Sequence, residues 1–163
     1  MAIQHIFFAS RELAESRLGG PGQAVISITD PGAREAALNK AFRHVLRLAF
    51  YDAEPADEYL PAPVPGLFDH RMARQIDGFL HQLQAAPDEF SVMVHCEYGV
   101  SRSAAVALYV EAYSGAPLEA REFTHDANPW VVASLLRQNP DLVIDIPHAG
   151  VAHEGRAMPH ESA

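Results

Sequence analysis

The stretch from residue 90 to residue 110 constrains the fold of this chain more than any other part of the sequence. Residues 90–94 form an apolar run, a short polar loop follows, and residues 103–110 are almost all small or apolar. This order predicts a strand, a tight loop and a helix. A helix that is apolar on every side has to be buried, so we expect this helix to cross the core.

Further runs of strand and helix character alternate along the chain. Strands are predicted over residues 3–9, 24–28 and 45–50. Helices are predicted over residues 10–18, 33–42, 68–83, 118–125 and 129–137. Because strands that alternate with helices form parallel sheets with right-handed crossovers, the predicted fold class is α/β. We expect a central, mostly parallel sheet of four to five strands flanked by helices.

The length of 163 residues fits a single domain. We expect this domain to span residues 1–146, with residues 141–146 as an extended apolar piece that packs back on it. Residues 147–163 are rich in Gly, Pro, His and charge, and are predicted to form a loose tail. The proline-rich residues 57–69 are incompatible with a central strand and predict a surface loop.

The composition of the chain limits the classes of binding partner and the cellular compartment that we expect. A formal net charge of −9 argues against nucleic acid or an anionic membrane as the main partner. The first residues form no basic and apolar leader, and no long apolar segment follows, so neither a signal peptide nor a membrane span is predicted. A single cysteine excludes an internal disulfide and suits a reducing compartment, so we expect the protein in the cytoplasm.

The loop after residue 94 holds the groups of an anion site. Cys96 is the only cysteine of the chain, Arg102 follows after five intervening residues, and Ser103 comes next. Backbone N–H groups in such a loop and at a helix N-terminus bind anions, and a guanidinium binds two phosphate oxygens at once. Gly99 allows a positive φ or a close approach to a ligand. The same positive field favours a thiolate over a thiol. The loop is therefore predicted to bind a tetrahedral dianion and to place a sulfur nucleophile beneath it.

The order His95-Cys96, five residues, Arg102-Ser103 resembles the signature of the cysteine-dependent protein tyrosine phosphatases. The end of the loop, residues 99–103, looks like the compact dual-specificity branch of that superfamily, and especially its small bacterial members. The resemblance extends over residues 24–136, which is most of the chain. It implies the α/β fold of the superfamily and the hydrolysis of phosphate monoesters.

The resemblance also implies roles for the residues of the loop. Cys96 would attack phosphorus and form a phosphocysteine intermediate, and Arg102 would bind the phosphate and stabilise charge on its oxygens. Ser103 would help the cysteine to leave in the second step, and a helix N-cap is the structural alternative for it. The phosphate cradle would consist of the backbone N–H groups of Glu97, Tyr98, Gly99, Val100, Ser101 and Arg102.

His95 directly precedes the nucleophile. The resemblance implies that it orients the loop and helps to keep the thiol ionised through hydrogen bonds. A Cys-His dyad, in which the ring acts as a general base, is the alternative. Because adjacent residues of a strand point to opposite faces, the orienting role is favoured.

Asp52 is the candidate general acid. It follows the third predicted strand, and ligands of parallel sheets bind beyond the carboxyl ends of strands, so Asp52 and Cys96 are expected in one cleft. A carboxyl there would protonate the leaving group and then activate water. Glu54, Asp57 and Glu58 compete for this role, and a turn aspartate is the structural alternative. The receptor branch of the resembling superfamily has Trp-Pro-Asp here, whereas this chain has Phe-Tyr-Asp.

The expected substrate is a phosphorylated protein or peptide. Glu97, Tyr98 and Val100 face or flank the predicted pocket, and no lysine lies between Cys96 and Arg102, which disfavours phosphoinositides with their several phosphates. Phosphotyrosine is favoured, with phosphoserine and phosphothreonine as further candidates. Displacement by a thiolate needs no metal, and the nine histidines show no strong ligand spacing, so we expect neither a metal nor a cofactor.

Two other classes of protein remain compatible with the loop. One is a phosphate-binding module that binds without turnover. The other uses a Cys-x5-Arg loop for different chemistry, as a rhodanese-like sulfurtransferase or an arsenate reductase. A rhodanese would need neither Asp52 nor Ser103, and an intramolecular thiol relay needs further cysteines, which the chain lacks. The sequence predicts no oligomeric state.

Overall fold

The computed structural model describes residues 2–55 and 65–149. The described residues include four strands, which are Ile3–Ala9 (β1), Gln23–Thr29 (β2), His44–Ala49 (β3) and Phe90–His95 (β4). The α-helices in these ranges are Arg11–Ser16 (α1), His70–Ala85 (α2), Arg102–Ser114 (α3) and Pro129–Gln138 (α4). A short 3-10 helix occupies Arg121–Thr124.

The four strands form one parallel sheet in the order β1-β4-β2-β3, which confirms the predicted α/β class. Strand β4 lies inside the sheet, between β1 and β2. The register pairs His95 at the end of β4 with Ala9 of β1 and with Ser27 of β2. Since all strands run in the same direction, their carboxyl ends meet at one edge of the sheet, which is where the loop from Cys96 begins.

The sheet is buried on both faces, as expected for a parallel sheet with nearly continuous apolar strands. The main core lies between one face and helices α2, α3 and α4, and includes Ile26, Ile28, Val92 and Val94. A second cluster covers the opposite face, with Ala14, Val25, Phe42 and Met93. Burying one such aliphatic side chain contributes about 1.5–3 kcal/mol, so the two clusters hold the central strands firmly in place.

Helix α3 is the predicted core helix. Its residues from Arg102 to Val110 are all buried, and it contacts β1, β4 and α4. Tyr109 is fully buried, and its hydroxyl donates a hydrogen bond to Asp77 of α2. The helix ends at Gly115, whose left-handed φ of 77° matches the usual glycine stop. Because α3 is surrounded by the core, its first turn holds the loop before it rigidly.

Residues 33–42 form no helix, and that prediction was wrong. Tertiary contacts satisfy the segment instead: the N–H of Ala37 donates to Glu15 at 2.8 Å, and the carbonyl of Ala36 accepts a hydrogen bond from an arginine of β3 at 3.2 Å. Ala36 and Phe42 are buried. Because a helix this short is marginal by itself, these contacts outweigh its helical composition.

The other predicted elements are closer to those in the structure. The helix predicted over residues 118–125 is only the 3-10 turn at Arg121–Thr124. Residues 141–146 pack back on the core through half-buried Leu142, Ile144 and Ile146, as predicted.

Two predicted segments cannot be compared with the structure. Most of the proline-rich loop, including Asp57 and Glu58, and the tail from residue 150 lie outside the described residues. In the described part of the chain, no helix has the length and apolar character needed to cross a bilayer.

Candidate active site

Cys96 lies one residue beyond β4, at the centre of the carboxyl edge of the sheet. Its N–H donates to the carbonyl of Ala9 at 3.3 Å, and only 3% of the residue is exposed. The Sγ atom lies 3.1 Å from the Oγ of Ser103. Ser103 is the second residue of α3 and is fully buried. The thiol donates to this hydroxyl, and the hydroxyl would donate to an ionised sulfur. Ser103 lies inside the helix, so it is not the N-cap.

Gly99 fits the loop tightly against the junction of β1 and α1. Its φ is +74°, and a Cβ atom there would lie 2.6 Å from the carbonyl carbon of Ala9 and from the nitrogen of Ser10. The N–H of Arg11 also donates to the carbonyl of Glu97 at 3.1 Å. Since both the φ and the space exclude a side chain, the shape of the loop depends on this glycine.

The backbone N–H groups of the loop after Cys96 take no part in the hydrogen bonding among the described residues. Within the ranges 2–55 and 65–149, the N–H groups of residues 97–101 donate no hydrogen bond. Ser101 is the N-cap of α3 but makes no side-chain cap bond. The first turn of α3 and the loop before it therefore keep donors that an anion can accept.

The guanidinium of Arg102 is fixed on one side, whereas one of its nitrogens has no partner in the described part of the chain. Only 6% of its side chain is exposed, and Nη1 donates to Asp30 Oδ1 at 2.8 Å and to the carbonyl of Phe50 at 2.7 Å. The Nε atom is buried and makes no hydrogen bond with any described residue. A buried charged donor without a partner is costly, and an anion bound to the loop would satisfy it.

Asp30 was not identified by the sequence analysis as a candidate site residue. It follows β2 directly and therefore lies at the same carboxyl edge as Cys96. The rule that pointed to Asp52, an acidic residue just after a parallel strand, applies equally to Asp30.

Asp52 lies against the loop of Cys96, as the topology suggested. It is exposed, and its Oδ1 accepts hydrogen bonds from Ser101 Oγ and from Asn128 Nδ2, both at 2.8 Å. Both partners are remote in sequence, so these hydrogen bonds are not those of an aspartate that only stabilises a local turn. Of the competing acids, Glu54 is exposed, and the other two lie outside the described residues.

His95 contacts the backbone of the nucleophile and not its sulfur. The fully buried ring lies with Nδ1 3.2 Å from the carbonyl of Cys96 and with Nε2 2.6 Å from Ser27 Oγ. Burial is the main cause that lowers the pKa of His95, and the cations Arg11 and Arg47 lower it further. A neutral ring fits these partners if Nδ1 donates to the carbonyl and Nε2 accepts from the serine. Both nitrogens are thus occupied, and neither faces the thiol as a dyad requires.

The rim around the loop is exposed and contains both apolar and acidic side chains. Tyr98 is 81% exposed, and Val100 and Tyr51 are about half exposed. The N–H of Tyr51 donates to the carbonyl of Gly66 at 2.8 Å, and its ring lies directly against this glycine. Glu97 is also partly exposed and approaches an arginine of α1 at 3.9 Å. The rim therefore combines exposed aromatic surface with negative charge.

Comparisons with known proteins add little information about the function of this chain. No protein-family model and no curated protein sequence matches the chain. Among solved structures, a human tyrosine phosphatase-like serine/threonine/tyrosine-interacting protein is similar, with 21% sequence identity and a TM-score of 0.40. The match covers 84% of this chain and 78% of that chain. We therefore infer function from the contacts of this chain alone.

Proposed function

We propose that this chain is a cysteine-dependent phosphatase that hydrolyses phosphotyrosine in proteins or peptides through a phosphocysteine intermediate. One observation carries the proposal: the buried Nε of Arg102 has no partner among the described residues, while Nη1 of the same guanidinium is fixed by Asp30. A phosphate in the loop would pair with that nitrogen and with the unused N–H groups of residues 97–101. Cys96 Sγ would then lie beneath phosphorus.

In the first step, the thiolate of Cys96 attacks phosphorus as the bond from phosphorus to the tyrosine oxygen breaks. Arg102 and the backbone N–H groups of the loop stabilise the charge on the three non-reacting oxygens. Asp52, protonated, gives its proton to the leaving phenolate. The products of this step are the dephosphorylated tyrosine and phosphocysteine.

In the second step, water attacks the phosphorus of the phosphocysteine. Asp52, now a carboxylate, takes a proton from that water as the new P–O bond forms. The S–P bond breaks, and the hydroxyl of Ser103, 3.1 Å from the sulfur, donates a hydrogen bond to the departing thiolate. Inorganic phosphate is released, and Cys96 is ready for the next cycle.

His95 and Asp30 act as positioning residues in this scheme. His95 holds the carbonyl of Cys96 and so fixes the point where β4 becomes the loop. Asp30 holds Nη1 of Arg102 and leaves the rest of the guanidinium for phosphate. Neither residue needs to touch the substrate.

The rim supports an aromatic substrate with a single phosphate. Exposed Tyr98 and half-exposed Tyr51 offer apolar surface for the ring of phosphotyrosine. Glu97 beside the loop disfavours headgroups with several phosphates, because like charges repel. A cytoplasmic location fits this function, since a reducing compartment keeps the single thiol active.

The test compares the wild type with Cys96→Ser and Asp52→Asn on para-nitrophenyl phosphate and on a phosphotyrosine peptide. We expect near-total loss of hydrolysis for Cys96→Ser, with peptide binding retained. Asp52→Asn should lose about a hundredfold on the peptide, because a general acid contributes a factor of this order. Undiminished hydrolysis by Cys96→Ser would overturn the proposal.

The same assays separate the other two classes of protein. A silent module would bind the phosphopeptide but leave it intact, even as the wild type. A sulfurtransferase would consume thiosulfate and would be indifferent to Asp52→Asn. A parallel thiosulfate assay on the same three proteins therefore distinguishes all three functions.

A further inference from the structure

Asn128 is a buried polar residue that the scheme above does not use. It directly precedes α4, and only 3% of the residue is exposed. Its Nδ2 donates to Asp52 Oδ1 at 2.8 Å and to the carbonyl of Ala53 at 3.3 Å. Its backbone N–H donates to the carbonyl of Ser101 at 3.1 Å. Asn128 thus joins the two segments: its side chain binds the segment of the candidate acid, and its backbone binds the end of the Cys96 loop.

The other end of the same side chain settles the orientation of its amide. Oδ1 of Asn128 accepts from the N–H groups of Trp130 and Val131 at 2.9 and 3.1 Å and so caps α4. Asn followed by proline is a favoured start of a helix. Because only an oxygen can accept these two bonds, the NH2 group has to face Asp52.

The two donors on Asp52 converge on one oxygen. Asn128 Nδ2 and Ser101 Oγ both bind Oδ1, and Oδ2 accepts no hydrogen bond from a described residue. In a protonated carboxyl group, one oxygen accepts hydrogen bonds and the other carries the proton. Two donors on Oδ1 therefore select Oδ2 as the oxygen that carries it.

We propose that Asn128 is a positioning residue that, together with the Ser101 hydroxyl, binds Oδ1 of Asp52 so that Oδ2 delivers the proton to the leaving group. This inference rests on the proposed function. It assigns a task to a residue that is remote in sequence from both Asp52 and Cys96.

A purely structural role for Asn128 makes a different prediction. A proton donor matters most when the leaving group is a poor one, such as phenol, and less when it is a good one, such as para-nitrophenol. Loss of a merely structural residue would lower the rates for both substrates alike. The dependence on the leaving group, and not the size of the loss, therefore decides between the two roles.

The test measures kcat/KM of Asn128→Ser with phenyl phosphate and with para-nitrophenyl phosphate. Serine keeps a helix N-cap but is too short to reach Asp52. We expect a loss of about tenfold on phenyl phosphate, since the hydrogen bond that orients the carboxyl group of Asp52 is lost, and a clearly smaller loss on para-nitrophenyl phosphate. In the Asp52→Asn background the same substitution should cause little further loss.

Two companion variants control for folding. Asp69→Ala removes the N-cap of α2, whose Oδ1 accepts from Met72 N at 3.0 Å, and should leave both rates unchanged. Ser101→Ala removes the second donor to Asp52 and leaves the cap of α4 intact. It should show the same dependence on the leaving group as Asn128→Ser, so it replaces that variant if the latter does not fold.

The outcomes separate this proposal from the one it rests on. Equal losses on both substrates, or a full additional loss in the Asp52→Asn background, would overturn the positioning role while leaving the phosphatase function intact. If the wild type is no faster than Cys96→Ser, the phosphatase function fails, and the positioning role fails with it.

Discussion

Asp30 and Arg102 form an ion pair at the carboxyl edge of the sheet, with Nη1 of the arginine 2.8 Å from Oδ1 of the aspartate. The arginine side chain is buried, whereas that of the aspartate is half exposed. The pair fixes one side of the guanidinium, and Nε has no hydrogen-bond partner among the described residues. A residue outside the Cys96 loop thus orients Arg102 at the candidate anion site.

Removal of this pair should weaken phosphate binding. We expect Asp30→Ala to lower kcat/KM about tenfold, chiefly through a higher KM, because a charge-assisted hydrogen bond that orients Arg102 is lost. Glu35→Gln is the matched control, since Glu35 is an exposed acid that pairs with Arg47 and not with Arg102. Affinity for inorganic phosphate, measured as competitive inhibition, should fall in parallel. An Asp30→Ala protein with unchanged KM and phosphate affinity would contradict this account of the pair.

Gly99 should tolerate no side chain. A Cβ atom would meet the backbone of Ala9 and Ser10 at 2.6 Å in a residue with φ of +74°. We expect Gly99→Ala to lose most activity and about 1–3 kcal/mol of unfolding free energy, measured by urea denaturation. Gly78→Ala is the contrasting control, because Gly78 lies inside α2 with open space around its Cα, and it should stabilise by about 0.5–1 kcal/mol. Equal effects of the two substitutions would show that the loop is not packed as described.

His95 should make stability depend on pH. Burial lowers its pKa in the folded state, so the unfolded chain binds more protons between that value and the ordinary one near 6.5. The contribution is therefore complete above pH ~6.5 and is lost as the pH falls towards the folded pKa, by at most about 1.4 kcal/mol per pH unit.

The measurement compares the wild type with His95→Gln by urea denaturation at several pH values. The stability difference between the two proteins should shrink as the pH falls below neutrality. His81→Gln, at an exposed position of α2, should show no such trend. A difference between wild type and His95→Gln that stays constant with pH would show that the ring is not held neutral.

The single thiol should be sensitive to oxidation. A thiolate oxidises first to a sulfenic acid, and the chain has no second cysteine to trap this species as an internal disulfide. We expect mild peroxide to abolish hydrolysis, prompt treatment with a thiol reductant to restore it, and bound phosphate to slow the loss. Full activity after peroxide would contradict the proposed role of Cys96 as the nucleophile.

Local patterns in the sequence were sufficient to predict the strand and the helix on either side of Cys96. The apolar run before Cys96 and the apolar helix after it are consecutive in the chain, and each forms where it was expected. Asp52 was expected beside Cys96 from topology alone, because both follow parallel strands that end at one edge. The burial of α3 followed from its lack of a polar face.

Contacts across long sequence separations were not predictable in the same way. Asp30 and Arg102 are 72 positions apart, and Asn128 and Asp52 are 76 apart. Asp30 and Asn128 each look like an ordinary turn or cap residue, and nothing local shows which loop folds over them. The incorrect prediction of a helix over residues 33–42 has the same cause, since tertiary contacts and not local composition determine the backbone conformation of this segment.

The most direct test of the central claim is detection of phosphate on Cys96 during turnover. Wild-type protein is mixed with a phosphotyrosine peptide, quenched rapidly in acid, digested and analysed by mass spectrometry. The account predicts one phosphoryl group on the fragment that holds Cys96, and neither this group nor any turnover in Cys96→Ser. Steady hydrolysis with Cys96 unmodified, and at an equal rate in Cys96→Ser, would contradict it.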